Sequence, residues 1–119
     1  MSEIKSTIQI ETITFADFEK VDIRVGTILE VKNNIKARVP AYILTIDFGE
    51  FGIKTSSAQI TEQYKMEDLQ GRQVVAVVNF PPKLIAGVKS EVLVLGVYGT
   101  GGVVILQPSL KVQNGLRVG

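Results

Sequence analysis

The chain of 119 residues predicts an all-β fold with minor α: a five-stranded Greek-key barrel of the OB type. One helix is expected between strands 3 and 4, with short terminal extensions. Three observations point there. Two short valine-rich runs, Val74–Val78 and Val92–Val97, suit buried strands better than helices. The segments Val21–Lys32 and Ala41–Phe48 alternate with a period of two. The order is three strands, a helix, then two or three strands. A generic five- to six-strand barrel fits the same order.

Residues 1–13 are polar with isoleucines at 4, 8, 10 and 13, too little apolar surface for a core of their own, and read as an N-terminal arm. Residues 14–119 read as a single domain, with 107–119 as a C-terminal extension. Thr14–Lys20 predicts one or two helical turns, with Thr14 as N-cap and Asp17 completing a variant capping box. Phe15 and Phe18 share a face expected to pack on the domain.

Val21–Lys32 places Val21, Ile23, Val25, Thr27, Leu29 and Val31 on one predicted buried face, with a bulge or bend at Gly26. Asn33 and Asn34 turn the chain into a basic loop, Ile35–Pro40. Ala41–Phe48 returns with Tyr42, Leu44, Ile46 and Phe48 on one face, and Phe51–Ser57 is a third, unusually polar strand. Thr61–Leu69 predicts the helix, with Thr61 as cap, Tyr64 and Leu69 inward and Gly71 as stop. Asn79–Glu91 joins the two valine-rich strands, and no acid occurs between Arg72 and Ser90. Tyr98–Gly102 is a turn-rich link before a last short strand, Val103–Leu106.

Composition narrows the chemistry. The 45% apolar and 21% charged residues describe a folded protein, and 13 basic against 12 acidic side chains give a net charge of only +1. Any nucleic-acid contact must therefore come from a local patch. Without cysteine or histidine there is no disulfide, thiolate nucleophile, Ser-His-Asp triad or usual zinc site. Asp22, Asp47 and Glu50 read as solvent-facing acids rather than a catalytic pair, and Ser56, Ser57 and Ser90 have no histidine to activate them. Gly99–Gly102 lacks the lysine and hydroxyl of a P-loop. The expectation is a protein that is not an enzyme and holds no cofactor or metal. No apolar run approaches the roughly 18 residues of a membrane helix, and no signal-peptide pattern is present, so a cytoplasmic location without membrane insertion is expected.

Binding is the better-supported chemistry. Lys32, Lys36, Arg38, Lys54, Lys83 and Lys89 fall in or beside the loops and strand face that OB folds use for ligands. Tyr42, Phe48, Phe51 and Phe80 are candidate stacking platforms, two of them expected in the core.

Five blocks carry a family resemblance: Asp17–Ile28, Ala37–Ala41, Thr45–Gly49, Ile53–Thr61 and Val75–Gly96. With them the chain resembles the CsaA export-related chaperones, within the wider set of tRNA-binding OB-fold domains. The resemblance implies a homodimer assembled with help from the terminal extensions. It also implies binding of unfolded or precursor polypeptides in apolar pockets near the dimer contact, and, from the wider family, recognition of the L shape of tRNA. Asn79 and Ser90 match the family motif directly, with Lys83 and Lys89 as adjacent basic contacts. The chain departs from the tRNA-binding pattern at Ala37–Ala41, at Asn79–Pro82 and at Ser90–Leu93. Glu91, an acid beside the basic site, places polypeptide binding ahead of tRNA.

Overall fold

A computed structural model describes residues 7–119. Residues 1–6 of the expected arm lie outside the described residues. Residues 7–13 have no secondary structure, and Ile8 and Ile10 are each 86% exposed.

The first helix, α1 (Phe15–Glu19), has the expected capping box. The Asp17 amide donates to Thr14 Oγ1 at 3.1 Å and the Thr14 amide donates to Asp17 Oδ2 at 3.0 Å. Its aromatic face does not pack as a unit: Phe18 is half-buried while Phe15 is 72% exposed. The helix is held instead by its C-terminal carbonyls, which a short helix leaves without internal partners. Asn79 Nδ2 donates to Lys20 C=O and an Arg117 Nη donates to Glu19 C=O, both at 2.7 Å.

Strands β1 (Ile23–Asn33), β2 (Tyr42–Asp47), β3 (Ile53–Ala58) and β4 (Gln73–Val77) join β7 (Leu93–Val94) in one antiparallel sheet of order β3-β2-β1-β4-β7. The sheet curls into a nearly closed five-stranded barrel, the OB architecture expected from the element order. The predicted inward residues of β2, from Tyr42 to Phe48, are all buried.

The expected buried face of β1 is corrected in part: Val25 is buried as expected, though outside the core cluster. Gly26 and Ile28 point into the barrel. The register then slips between Ile28 and Glu30, so Val31 packs on the core and Leu29 is 42% exposed. Gly26 is therefore not the bulge. A Cβ there would lie 2.6 Å from Ile46 Cγ2 and 2.7 Å from the Phe48 ring, so glycine makes room for the largest fully buried side chain.

The C-terminal tail adds a strand-like segment to the half of β1 that β2 does not reach. Gly115 N–H donates to Val25 C=O at 2.7 Å, Val25 N–H to Leu116 C=O at 3.0 Å and Val118 N–H to Ile23 C=O at 2.8 Å. The Gln73 amide pairs with both backbone groups of Val112, at 2.7 and 3.0 Å.

The second helix, α2 (Met66–Leu69), is shorter than predicted and is not capped by Thr61. Tyr64 is committed elsewhere: its C=O accepts from Tyr42 Oη at 2.7 Å and its own hydroxyl accepts from Ile105 N–H at 3.1 Å. The helix starts after it, with Asp68 Oδ2 accepting from the Lys65 amide at 3.1 Å. Leu69 is fully buried and Gly71 follows at φ +84, as the stop requires.

The connector Asn79–Glu91 is itself a hairpin, β5 (Lys83–Ile85) with β6 (Val88–Ser90). The run Val92–Val97 is not one strand. The Leu95 amide still donates to Val75 C=O in the barrel at 2.9 Å, while its C=O accepts from Leu106 N–H at 3.0 Å. At that residue the chain leaves the barrel into a second hairpin, β8 (Gly96–Gly99) with β9 (Gly102–Ile105).

Candidate functional site

The loop after β1 and the β5–β6 hairpin meet at one end of the barrel. Asn34 shapes the loop: its Oδ1 accepts from the Lys36 amide at 3.1 Å and its C=O from the Ala37 amide at 3.2 Å. Its Nδ2 is buried and has no partner among the described residues. The hairpin tip is Ala86-Gly87, with φ +46 and +82, the double positive φ of a primed two-residue turn. Alanine is strained there, while Gly87 lets the Lys36 side chain lie against the tip, 3.2 Å from where a Cβ would sit. Between loop and hairpin lies a cavity of about 310 Å³ lined by Lys36, Arg38, Val39, Ser57, Gln59 and Ile85.

The other sequence-predicted residues do not all converge here. In the hairpin Lys83 faces Ser90 and Leu84 faces Lys89, so Lys83 and Lys89 project from opposite faces. Lys83 borders a second cavity of about 390 Å³ with Phe80, Pro81, Ile85, Ser90 and Leu93. Lys32 is exposed at the end of β1, 3.9 Å from Glu30. Lys54 and Asn79 border a separate cavity of about 200 Å³ with Asp22 and Phe51.

Both motif residues are tied into the fold. Asn79 Oδ1 accepts from the Asp22 amide at 3.0 Å while Nδ2 holds α1. Ser90 is buried and its Oγ accepts from the Ser57 amide at 3.0 Å. Glu91 is likewise engaged: its amide donates to Thr55 C=O at 2.7 Å and its Oε1 accepts from the Thr55 amide at 3.0 Å. Ser90 and Glu91 thus stitch the β3 edge to the β6–β7 segment. The acid is a closure element of the barrel.

Of the aromatic candidates, Tyr42 and Phe48 are buried, and Phe51 lies under the Arg24 guanidinium at 4.0 Å. Phe80 stays exposed beside the Lys83 cavity.

Sequence reading missed the apolar wall. A third cavity, about 380 Å³, runs between the end of β3 and β8, lined in part by Ile60, Ile85, Leu93, Tyr98 and Val103. Ile85 borders all three cavities around the hairpin, with Lys36 and Arg38 beside one and Lys83 with Glu91 beside another. The run VLVLGVY looks uniformly buried in sequence. Only Gly96, where a Cβ would come within 2.7 Å of Val103 and of the Val104 carbonyl, hinted at a close turn away from the barrel.

No group of three or more His, Cys, Asp or Glu side chains able to hold a metal occurs among the described residues. Nor is any described helix long and apolar enough to cross a membrane.

An antiparallel OB barrel with a cationic loop set against a hairpin marks a binding domain of the OB class. The family described as "Putative tRNA binding domain" matches residues 23–117, and the chain belongs to it. Within that superfamily it falls in the CsaA family. It is 52% identical to the chaperone CsaA of Bacillus anthracis, over 92% of this chain and 100% of that one, with a TM-score of 0.82. The CsaA chaperone of Picrophilus torridus is 50% identical over 91% of this chain and 100% of that one, with a TM-score of 0.86. Methionine–tRNA ligase of Pyrococcus horikoshii is 35% identical over 99% of this chain, but the match spans only 16% of the ligase.

Proposed function

We propose that the protein is a chaperone of the CsaA kind. It binds unfolded or precursor polypeptides in connection with protein export, acts in the cytoplasm as a homodimer and catalyses no reaction. Residues 14–119 act as one folded unit carrying an arm, 1–13, and an extension, 107–119. The observation that carries this reading is the group of cavities around Ile85, lined largely by apolar side chains, with Lys36 and Arg38 at one and Lys83 beside Glu91 at another. A surface of this kind, left open to water, suits chain segments that have not buried their own apolar residues. Dimerisation is supported by the exposed isoleucines of the arm and by Leu110, 76% exposed on the extension. Light scattering at micromolar concentration should give twice the mass of the chain, and an equimolar amount of dimer should suppress aggregation of a denatured client. A monomer without holding activity overturns the reading.

A second reading, structure-specific tRNA binding, is favoured by the family match and by Lys36 and Arg38 standing together on one loop. Lys32, Lys83, Lys89, Asn79 and Ser90 complete the residues we assign to the ligand surface, and Lys54, in a cavity that shares no lining residue with that of Lys36 and Arg38, is set apart from it. Asn79 and Ser90 would shape it from within the fold. Retention of tRNA on a filter at low salt, lost as salt rises, tests this reading.

A further inference from the structure

We infer that the slot between β3 and β8 takes an extended polypeptide segment as an added strand. Apolar residues of the segment alternate, and an acidic residue sits at the Lys36–Arg38 end. The inference rests on the polypeptide-binding reading above and specifies how the ligand is held.

The first support is an open strand edge. Along β3 the outward-facing peptide groups are those of Thr55 and Ser57. Glu91 takes both groups of Thr55, and Ser90 Oγ takes the Ser57 amide. Beyond that point the closure stops. Among the described residues the Gln59 amide has no partner and Ser57 C=O accepts only from Ser56 Oγ, at a long 3.4 Å, and both residues line the slot.

The opposite wall is open as well. Leu106 N–H donates to Leu95 C=O, and Val97 pairs with Val104 in the same register. That phase turns the peptide groups of Gly96 and Tyr98 away from β9 and toward the slot they line. Two unpaired edges facing one apolar cavity are what an extended chain fills in strand addition: its main chain supplies hydrogen bonds and every second side chain enters a pocket.

Charge selects the occupant. Glu91 lies beside Lys83 in the cavity that shares Ile85 and Leu93 with the slot, whereas Lys36 and Arg38 stand without a carboxylate at the far end. An acidic residue is therefore favoured at that end of the segment and neutral residues elsewhere. A nucleic acid would need cations along the whole length, which the slot lacks.

The test uses the full-length dimer and a labelled, end-blocked octapeptide, Val-Ser-Val-Thr-Val-Ser-Val-Asp, read by fluorescence anisotropy. Each alternate set of probe amides faces one of the two edges, so N-methylation of either set should weaken binding about tenfold. Lysine in place of the terminal aspartate should weaken it similarly, an effect absent in Lys36→Ser/Arg38→Ser. Equal tolerance of both methylation sets, while reduced and carboxymethylated α-lactalbumin still binds, overturns strand addition and leaves the polypeptide reading standing. Failure of both ligands to bind overturns both. Probe binding that appears only in Ile8→Ser/Ile10→Ser assigns the slot to the arm of a second copy and overturns the inference. Displacement of the probe by an octauridylate does the same in favour of RNA.

Discussion

Glu91 holds Thr55 by both of its backbone groups, donating its own amide to the Thr55 carbonyl at 2.7 Å and accepting the Thr55 amide on Oε1 at 3.0 Å. A side chain here completes the ladder that a neighbouring strand would otherwise supply. Glu91→Ala leaves a half-buried amide without an acceptor, at a cost of about 1–3 kcal/mol. For a chain of this size the thermal midpoint should fall by roughly 4–12 °C. Glu91→Gln keeps an oxygen in place and should recover most of the loss. Scanning calorimetry on the three proteins decides it.

Gly26 marks where the barrel is tightest. A methyl group there would meet Ile46 and Phe48 at 2.6–2.8 Å, and both side chains are fully buried. Gly26→Ala should destabilise by about 1–3 kcal/mol through overpacking. Gly26→Ala combined with Phe48→Leu should regain part of that, because the ring is what the methyl strikes. Urea denaturation should show the double variant less destabilised than the sum of the two single changes.

Asn79 bridges α1 to β1, accepting from the Asp22 amide at 3.0 Å and donating to Lys20 C=O at 2.7 Å. Asn79→Ala should cost about 1–2 kcal/mol, since both partners lose a good bond at a partly exposed site. Asn79→Asp keeps the acceptor for Asp22 and should cost less. Hydrogen exchange should report faster opening at Asp22 and through α1 in Asn79→Ala, with β2 and β3 unaffected.

The barrel was readable because its signals are local. The alternation of Tyr42–Phe48 and the capping box of Thr14 and Asp17 each need only a few neighbouring residues, and both stand in the structure. The buried face of β1 was misassigned because the slip at Leu29 reverses the alternation partway, and a one-residue bulge leaves no mark on a hydrophobic pattern. Tyr64, not the capping potential of Thr61, sets where α2 begins, through partners 22 and 41 residues away in the chain. Lys36 and Arg38 were legible as a basic loop. Their placement against the β5–β6 tip, and the opposite facing of Lys83 and Lys89, depend on a hairpin hidden in a segment with two prolines.

The basic residues should separate in their effects on tRNA. Lys36 and Arg38 border one cavity on a loop whose course is fixed by Asn34, so phosphate groups reaching that end of the barrel meet both. Lys54 borders a different cavity that also holds Asp22, a carboxylate only 2.7 Å from Arg24. That cavity shares no lining residue with the one Lys36 and Arg38 border, so phosphates held by Lys36 and Arg38 do not lie over Lys54. Lys36→Ala and Arg38→Ala should each lower the slope of log affinity against log salt by about 0.7–0.9, the share of one phosphate contact. The loss should be the same for every tRNA species, because such contacts carry no sequence information. Lys54→Ala should leave the slope within error of the parent. Filter binding across a salt series measures all three, and a Lys54→Ala slope that falls as far as that of Lys36→Ala would place the nucleic-acid surface on the Asp22 side of the barrel.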